Sequence, residues 1–332
     1  MLGLTDHWYA PSPHPLTIAL KPLSWLFCGL AVLRRQFYYR GLLRMRRINA
    51  PVMVVGNLSV GGTGKTPLVI RLVELLREAG WRPGVVSRGY GGTARHWPRY
   101  VTAESDPREV GDEPVVLASR ARCPVIVDPD RVAAAQALVN NHACDVVIAD
   151  DGLQHYRLAR DIEILVIDGQ RRFGNGECLP AGPLREPLSR LRDVTFVVGN
   201  GQAQANEYLM TLISERAVNL RDPAITCHLA AFSDELVRAV AAIGNPQRFF
   251  DDLRARGIRL VEYPYPDHYP FTEAELDFKD ELPVLMTEKD AVKYRPWAKD
   301  GHWYVPVTAQ VDSRLEQQLL SRLAQLTGKP SP

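Results

Sequence analysis

The segment Val55 to Pro67, VGNLSVGGTGKTP, restricts this chain more than any other: an apolar run ends in a glycine-rich turn, and a Lys-Thr pair then opens a helical pattern. Such a turn lets backbone N–H groups close around phosphate oxygens, while the following helix adds the partial positive charge of its N-terminus. On this reading Gly56, Asn57, Ser59, Val60, Gly61, Gly62, Thr63 and Gly64 form the cradle. Lys65 reaches the β/γ-phosphates and the Thr66 hydroxyl ligates Mg2+. The strict pattern G-x-x-x-x-G-K-[ST] has one departure here, Ser59 standing in place of the first glycine.

From Pro51 onward, short apolar runs alternate with helical stretches. Strands are expected at Val52 to Val55, Pro83 to Ser87, Val125 to Val127, Val146 to Ala149, Ile164 to Ile167 and Thr195 to Val198, with helices at Pro67 to Ala79 and Arg131 to Asn140. Near-continuous Val/Ile runs separated by helices predict a parallel sheet covered on both faces. The expected fold class is α/β, a P-loop-type parallel sheet with a second, smaller α/β domain. A length of 332 residues fits two domains: a core over 51–222 and a smaller unit over 223–332, closed by an amphipathic helix from Arg314 to Leu326.

Hydrophobic residues at 46% and charged residues at 23% exclude a disordered or fibrous chain. The five cysteines are scattered without a C-x-x-C pair, so neither a zinc site nor a disulfide framework is expected, and a reducing compartment is the simplest reading. The net charge of +2 gives no field for nucleic acid, but it is unevenly spread. Six arginines and no acid lie between Arg34 and Arg47, directly after the uncharged stretch Pro22 to Leu33. Twelve helical residues reach about 18 Å, short of a bilayer's ~30 Å hydrocarbon core, so residues 1–50 read as a membrane-interface segment rather than a span. Phe37, Tyr38 and Tyr39 suit the interface, and the arginines suit anionic headgroups. The alternative is a core helix with a solvated basic end, which has less use for six unpaired arginines.

A nucleotide-handling loop also needs a carboxylate at the end of a neighbouring strand. DVVIADDGLQH, Asp145 to His155, ends its apolar run in Asp150 and Asp151, where a cation would offset two adjacent negative charges. Gln154 and His155 follow closely enough to face the same cleft and are candidates on the substrate side.

These segments, taken with SRGYGG (Ser87 to Gly92), GDEP (Gly111 to Pro114), LPAGPLREP (Leu179 to Pro187) and TEKDAVK (Thr287 to Lys293), stand in an order that resembles the tetraacyldisaccharide 4'-kinase family, the lipid A 4'-kinases of Gram-negative bacteria. The resemblance runs over nearly the whole chain, and in that family the loop tolerates a small polar residue at the position of Ser59. It implies transfer of the ATP γ-phosphate, with Mg2+, to the 4'-hydroxyl of an acylated glucosamine disaccharide 1-phosphate at the cytoplasmic face of the inner membrane. It further implies two α/β units joined by a hinge, with Asp112 of GDEP as general base supported by His268, after Asp267. The chemistry agrees, since a sugar hydroxyl is a weak acid and a carboxylate aligned by an imidazole can accept its proton as the P–O bond forms.

The remaining motifs suit a large anionic lipid. Arg88 can pair with phosphate and Tyr90 can pack on sugar or acyl surface. Arg171, Arg172 and Arg185 lie in a Gly/Pro-rich stretch and are candidates for the lipid 1-phosphate, against the plainer reading of solvated surface arginines. Glu113 is a further candidate for the metal shell, and Lys289 and Asp290 for the nucleotide side of the cleft. Two other classes compete: a membrane-associated P-loop ATPase or GTPase switch without a lipid acceptor, and a noncatalytic nucleotide-binding regulator. Membrane-cycling ATPases carry a signature lysine before the Gly-Gly pair, where this chain has Val60. The regulator would leave the metal and base carboxylates without a purpose.

Overall fold

The computed structural model describes residues 6–10 and 12–328. From the N-terminus the chain forms α1 (Pro15–Ala19), α2 (Lys21–Tyr39), β1 (Val52–Gly56), the glycine-rich turn and α3 (Lys65–Glu78). It continues through β2 (Pro83–Ser87), β3 (Arg99–Val101), α4 (Pro107–Val110), α5 (Asp112–Arg120), β4 (Val125–Val127) and α6 (Arg131–His142). Next come β5 (Val146–Asp150), β6 (Ile162–Asp168), β7 (Phe196–Asn200), β8 (Tyr208–Ile213), β9 (Arg216–Asn219), β10 (Thr226–His228) and β11 (Leu236–Ala241). The last elements are α7 (Pro246–Ala255), β12 (Arg259–Pro264), β13 (Val284–Thr287), α8 (Glu288–Tyr294), β14 (His302–Val305), β15 (Thr308–Val311) and α9 (Ser313–Thr327).

Nine strands make the first sheet, in the order β15-β8-β7-β6-β1-β5-β2-β4-β3. The seven inner strands from β8 to β4 run parallel, and β15 and β3 close the two edges antiparallel. Every residue of β1, β5 and β6 is buried, which is why their sequences are continuous Val/Ile/Leu runs rather than alternating ones. One face packs against α3, α5 and α9 through side chains such as Leu72, Leu76, Leu117 and Leu319; the other packs against α6 and the 153–184 segments through Leu138, Leu153, Leu158 and Leu184.

A second, six-stranded mixed sheet, β10-β9-β14-β13-β11-β12, carries α7 and α8. Two details differ from the expected 223–332 unit. The second sheet already contains β9, upstream of Pro223, and the chain's final strand and helix belong to the first sheet: β15 pairs with β8, and Leu315, Leu319 and Leu323 of α9 enter the first core. The amphipathic period of α9 was readable; which of two sheets would receive it was a tertiary choice.

Helix α2 leaves its apolar side uncovered, with Trp25 64%, Leu26 59% and Leu30 57% exposed. The helix is pinned from behind, where buried Ser24 Oγ donates to the Cys178 carbonyl at 2.6 Å and buried Arg35 pairs with Asp193 at 3.2 Å. Of the six arginines expected to be free, Arg35 and Arg47 therefore have carboxylate partners, Arg47 meeting Asp161 at 2.6 Å. Among the described residues no helix is long and apolar enough to cross a membrane.

Candidate active site

The glycine-rich turn joins the C-terminal end of β1 to α3. Gly64 takes φ +92°, and a Cβ there would come within 2.6 Å of the Asn200 amide, so both conformation and space require glycine. Asn57, fully buried, donates to the Gly61 carbonyl at 3.3 Å. The turn is braced from outside by the LPAGPLREP segment: Val60 N–H donates to Pro183 O at 2.9 Å, Arg185 N–H donates to Leu58 O at 2.6 Å, and Ser59 bridges to Leu184. That bracing carries Arg185 to the site, where its guanidinium donates to both oxygens of Asp151 at 3.0 Å. Lys65 Nζ stands 3.6 Å from the same carboxylate. Burial alone would raise Asp151, but Lys65 and Arg185 outweigh it and hold the carboxyl below its ordinary value.

Asp150, ending β5, is the opposite case. Both of its carboxylate oxygens are buried without a hydrogen-bond partner. Burial, together with the charges of Glu113 and Asp151, pushes it up to about 7. A buried carboxyl with two orphaned oxygens beside two other acids is a site that gains from a cation. Among the described residues no group of three or more His, Cys, Asp and Glu is gathered as a complete protein-built metal cage. Mg2+ does not need one, since it characteristically takes one or two carboxylates and completes its shell with phosphate oxygens and water. Asp150, Asp151 and the Thr66 hydroxyl, with Glu113 nearby, fit that demand.

Asp112 occupies the first turn of α5, immediately after Gly111, whose φ of +89° sets the turn and whose Cβ would strike the Tyr90 carbonyl at 2.7 Å. From across the cleft comes His268, held at φ +59° after β12, with its Nδ1 3.0 Å from Asp112 Oδ2. Lys289 of α8 reaches His268 Nε2 at 3.3 Å and also meets Glu113 at 3.2 Å and Asp267 at 3.4 Å. An ammonium can only donate, so the neutral ring accepts at Nε2 and donates its Nδ1–H to Asp112. Burial raises Asp112, but the His268 hydrogen bond and the ammonium groups of Lys289 and Lys293 lower it further, so the net shift is downward. The Asp112 hydrogen bond raises His268 in turn.

Tyr90 joins this group, its ring 5.3 Å from that of His268, and Arg88 is exposed at the rim. Arg171 lies by the loop, donating to Gly62 O at 3.2 Å and pairing with Asp168 at 3.1 Å. Arg172 is turned away and clasped by Glu207 at 2.9 and 2.6 Å, so its charge is already spent on the scaffold. Gln154 ties Asn57 O to Glu186, and His155, brought down to about 4 by burial and by Arg131, is neutral at pH 7. Asp290 does not face nucleotide: it is fully buried, accepting from Thr287 Oγ1 at 2.6 Å and from the Ala242 N–H at 2.9 Å.

Two site residues, Arg131 and Asn200, had no signal of their own in the sequence, and a third, Glu186, stood inside LPAGPLREP without a role. Arg131, 4% exposed, starts α6, and burial first and Arg88 next bring it down to about 10, while its charge acts on Asp150 and Asp151. Glu186 accepts from Gln154 and Tyr156. Asn200 ends β7 and donates to the Thr63 carbonyl at 3.0 Å. The position of Asn200 at the C-terminal end of an inner strand, and of Arg131 at the start of the helix that follows β4, was the one usable cue.

The family model for tetraacyldisaccharide-1-P 4'-kinase matches residues 16–324. The tetraacyldisaccharide 4'-kinase of Nitrosococcus oceani is 50% identical over 323 residues, covering 97% of this chain and 95% of the relative. That of Alkalilimnicola ehrlichii is 48% identical over 336 residues, covering 98% of each. Among solved structures, LpxK from Aquifex aeolicus in complex with ATP superposes with a TM-score of 0.77 at 27% identity, over 93% of this chain and 99% of that one. With a family match over almost the full length and relatives at this identity, the chain belongs to the tetraacyldisaccharide 4'-kinase family.

Proposed function

We propose that the chain transfers the γ-phosphate of ATP to the 4'-hydroxyl of a tetraacylated glucosamine disaccharide 1-phosphate, a step of lipid A biosynthesis. The Asp112–His268 pair carries this reading, because it sets a base for an alcohol acceptor beside a phosphate loop. A Cβ at Gly244 would lie 3.1 Å from the Gly62 amide nitrogen and 3.4 Å from Asp267, so the corner bearing His268 sits against that loop.

Asp112 accepts the hydroxyl proton as the new P–O bond forms, and the His268 Nδ1–H orients the carboxylate and stabilises its charge until then. Lys65 and the loop N–H groups neutralise the phosphates as charge shifts toward the leaving oxygen. Thr66, Asp150 and Asp151 would hold Mg2+, with Glu113 close enough to add its charge, and the ion when bound would supply charge neutralisation across the phosphate oxygens. Tyr90 and Arg88 at the rim suit the sugar and its phosphate, and Arg171 and Arg185 suit the phosphate side of the cleft. A switch that passes phosphate only to water has no need of this base or of the apolar surface for a lipid acceptor.

The uncovered face of α2, with Arg34, Arg40, Arg44 and Arg46 near its C-terminal end, supports docking on the cytoplasmic face of the inner membrane, where such a lipid resides. The division into a loop-bearing unit and a smaller closing unit belongs to the same proposal. Labelled ATP, offered with the disaccharide 1-phosphate in detergent micelles, should give product labelled at the 4' position. Label released only as inorganic phosphate would overturn the assignment.

A further inference from the structure

The family reading assigns the loop, the metal carboxylates and the dyad, all of which lie toward the β1–β5 side of the first sheet. On the other side of the loop, at the end of β7, Asn200 is 1% exposed and has two partners. Its Nδ2 donates to the Thr63 carbonyl inside the loop at 3.0 Å, and its Oδ1 accepts from Arg248 Nη2 at 3.1 Å. Arg248 belongs to α7 of the second sheet's unit, so the contact crosses between the two units.

Arg248 is half-buried and, among the described residues, has no carboxylate within ion-pair distance. Its neighbours are not left so: Arg254 of α7 pairs with Asp251 and Glu262, and Arg256, just past the helix end, with Asp252. A half-buried guanidinium with only one neutral amide as partner has donors left over for an anion. Beside a phosphate loop, the missing partner has the chemistry of a phosphate anion.

Position decides which phosphate. Lys65, Asp150 and Asp151 mark the end where the γ-phosphate and its metal belong, next to Asp112. The triphosphate then runs along Gly61 to Gly64, and its nucleoside end points toward β6 and β7, because the acceptor side is taken. We propose that Arg248 is a nucleotide-binding residue delivered by the second unit, which pairs with the α-phosphate of ATP while Asn200 couples it to the loop. The inference rests on the phosphate-loop reading above. Arg248 thereby makes nucleotide binding contribute to bringing His268 against Asp112, since both ride on the same unit.

The test uses the full chain and direct binding of ATP, ADP and AMP by calorimetry, with steady-state KM for ATP and for lipid alongside. Arg248→Met should weaken all three nucleotides by about tenfold or more, the loss of one charge-assisted hydrogen bond, and raise KM for ATP with KM for lipid unchanged. Arg248→Lys should recover part of the affinity, which a packing role would not allow. Weakening of ATP alone, with ADP and AMP unaffected, would place Arg248 at the γ-phosphate and overturn the assignment. Equal losses in Met and Lys variants accompanied by a lowered Tm would reduce it to scaffold. Lys65→Ala separates the two readings: unchanged ATP affinity and turnover there refutes the loop itself, whereas a Lys65 defect with a silent Arg248 refutes only this inference.

Discussion

Removing the imidazole from the Asp112–His268 pair tests the reaction chemistry most directly. The bond is 3.0 Å long, and the Asp112 side chain is only 5% exposed while that of His268 is 26% exposed, so water screens it partially. The bond orients the carboxylate for proton transfer, a part of the about 100- to 10,000-fold that a positioned base supplies, so His268→Gln should be about 10- to 100-fold slower in kcat. Asp112→Asn removes the base itself and should cost about 100- to 10,000-fold. The double variant discriminates. If the histidine acts through the carboxylate, there is nothing left for it to orient once Asp112 is gone, and the double should match Asp112→Asn within a few fold. Initial rates at saturating ATP, with lipid in micelles, measure all three. A double variant that loses the product of the two single losses would show independent roles and refute the pair as a unit.

Lys65→Ala should lower turnover by about 100-fold or more, since its charge stabilises the transferring phosphoryl group, while its circular dichroism and Tm remain near wild type; near-normal turnover would contradict the loop assignment. The raised Asp150 gives a pH signature. Its folded pKa of about 7 exceeds the ordinary carboxyl value, so the metal-free fold loses stability as pH climbs from about 4 to 7 and stays penalised above that. Metal-free Asp150→Asn should therefore melt higher than wild type at pH 8, lose that advantage near pH 4, and gain less from added Mg2+; equal melting curves at pH 8 would refute the buried-charge argument. On α2, Trp25→Ser with Leu30→Ser should reduce sedimentation with anionic vesicles by about 10-fold or more, from lost burial of about 1 kcal/mol or more per side chain, and the loss should persist at high salt. Surface substitutions are the better probe than deleting residues 1–47, which would also break the Ser24–Cys178 and Arg35–Asp193 ties; unchanged sedimentation would place the anchor elsewhere.

The inner strands were legible because burial on both faces writes itself as runs such as VMVV and VVIA, and the loop was legible because backbone N–H groups closing on phosphate demand glycine. β8 and β15 were missed for the complementary reason: they form one edge of the sheet and alternate buried with exposed positions, YLMTLI and TAQV, too briefly to rise above their surroundings. Asp112 and His268 are 156 residues apart and became a pair through family resemblance, since neither has a local signature. Arg172 looked equivalent to Arg171 and Arg185, yet it alone of the three is clasped by Glu207, whose position opposite it depends on where β8 begins. Arg248 had no signal, because a helix surface arginine is distinguished only by the carboxylate it lacks.

The return of β15 and α9 to the first sheet makes the second unit an insertion rather than an appendage. The chain leaves through Ser214 and Glu215 and comes back through Pro306 and Val307, and these crossings lie side by side because Ile213 pairs with Thr308 below them and Val218 with Tyr304 above. The inserted unit is therefore tethered at one place by two neighbouring stretches of chain. His268 and Arg248 both sit on the unit so held, and each reaches a residue of the first unit from it. The same topology fixes what can be cut away: truncating the chain after β8 would discard α9 and strip Leu315, Leu319 and Leu323 from the first core, so the loop-bearing unit should fold alone only if β8 is joined directly to β15 by a short turn.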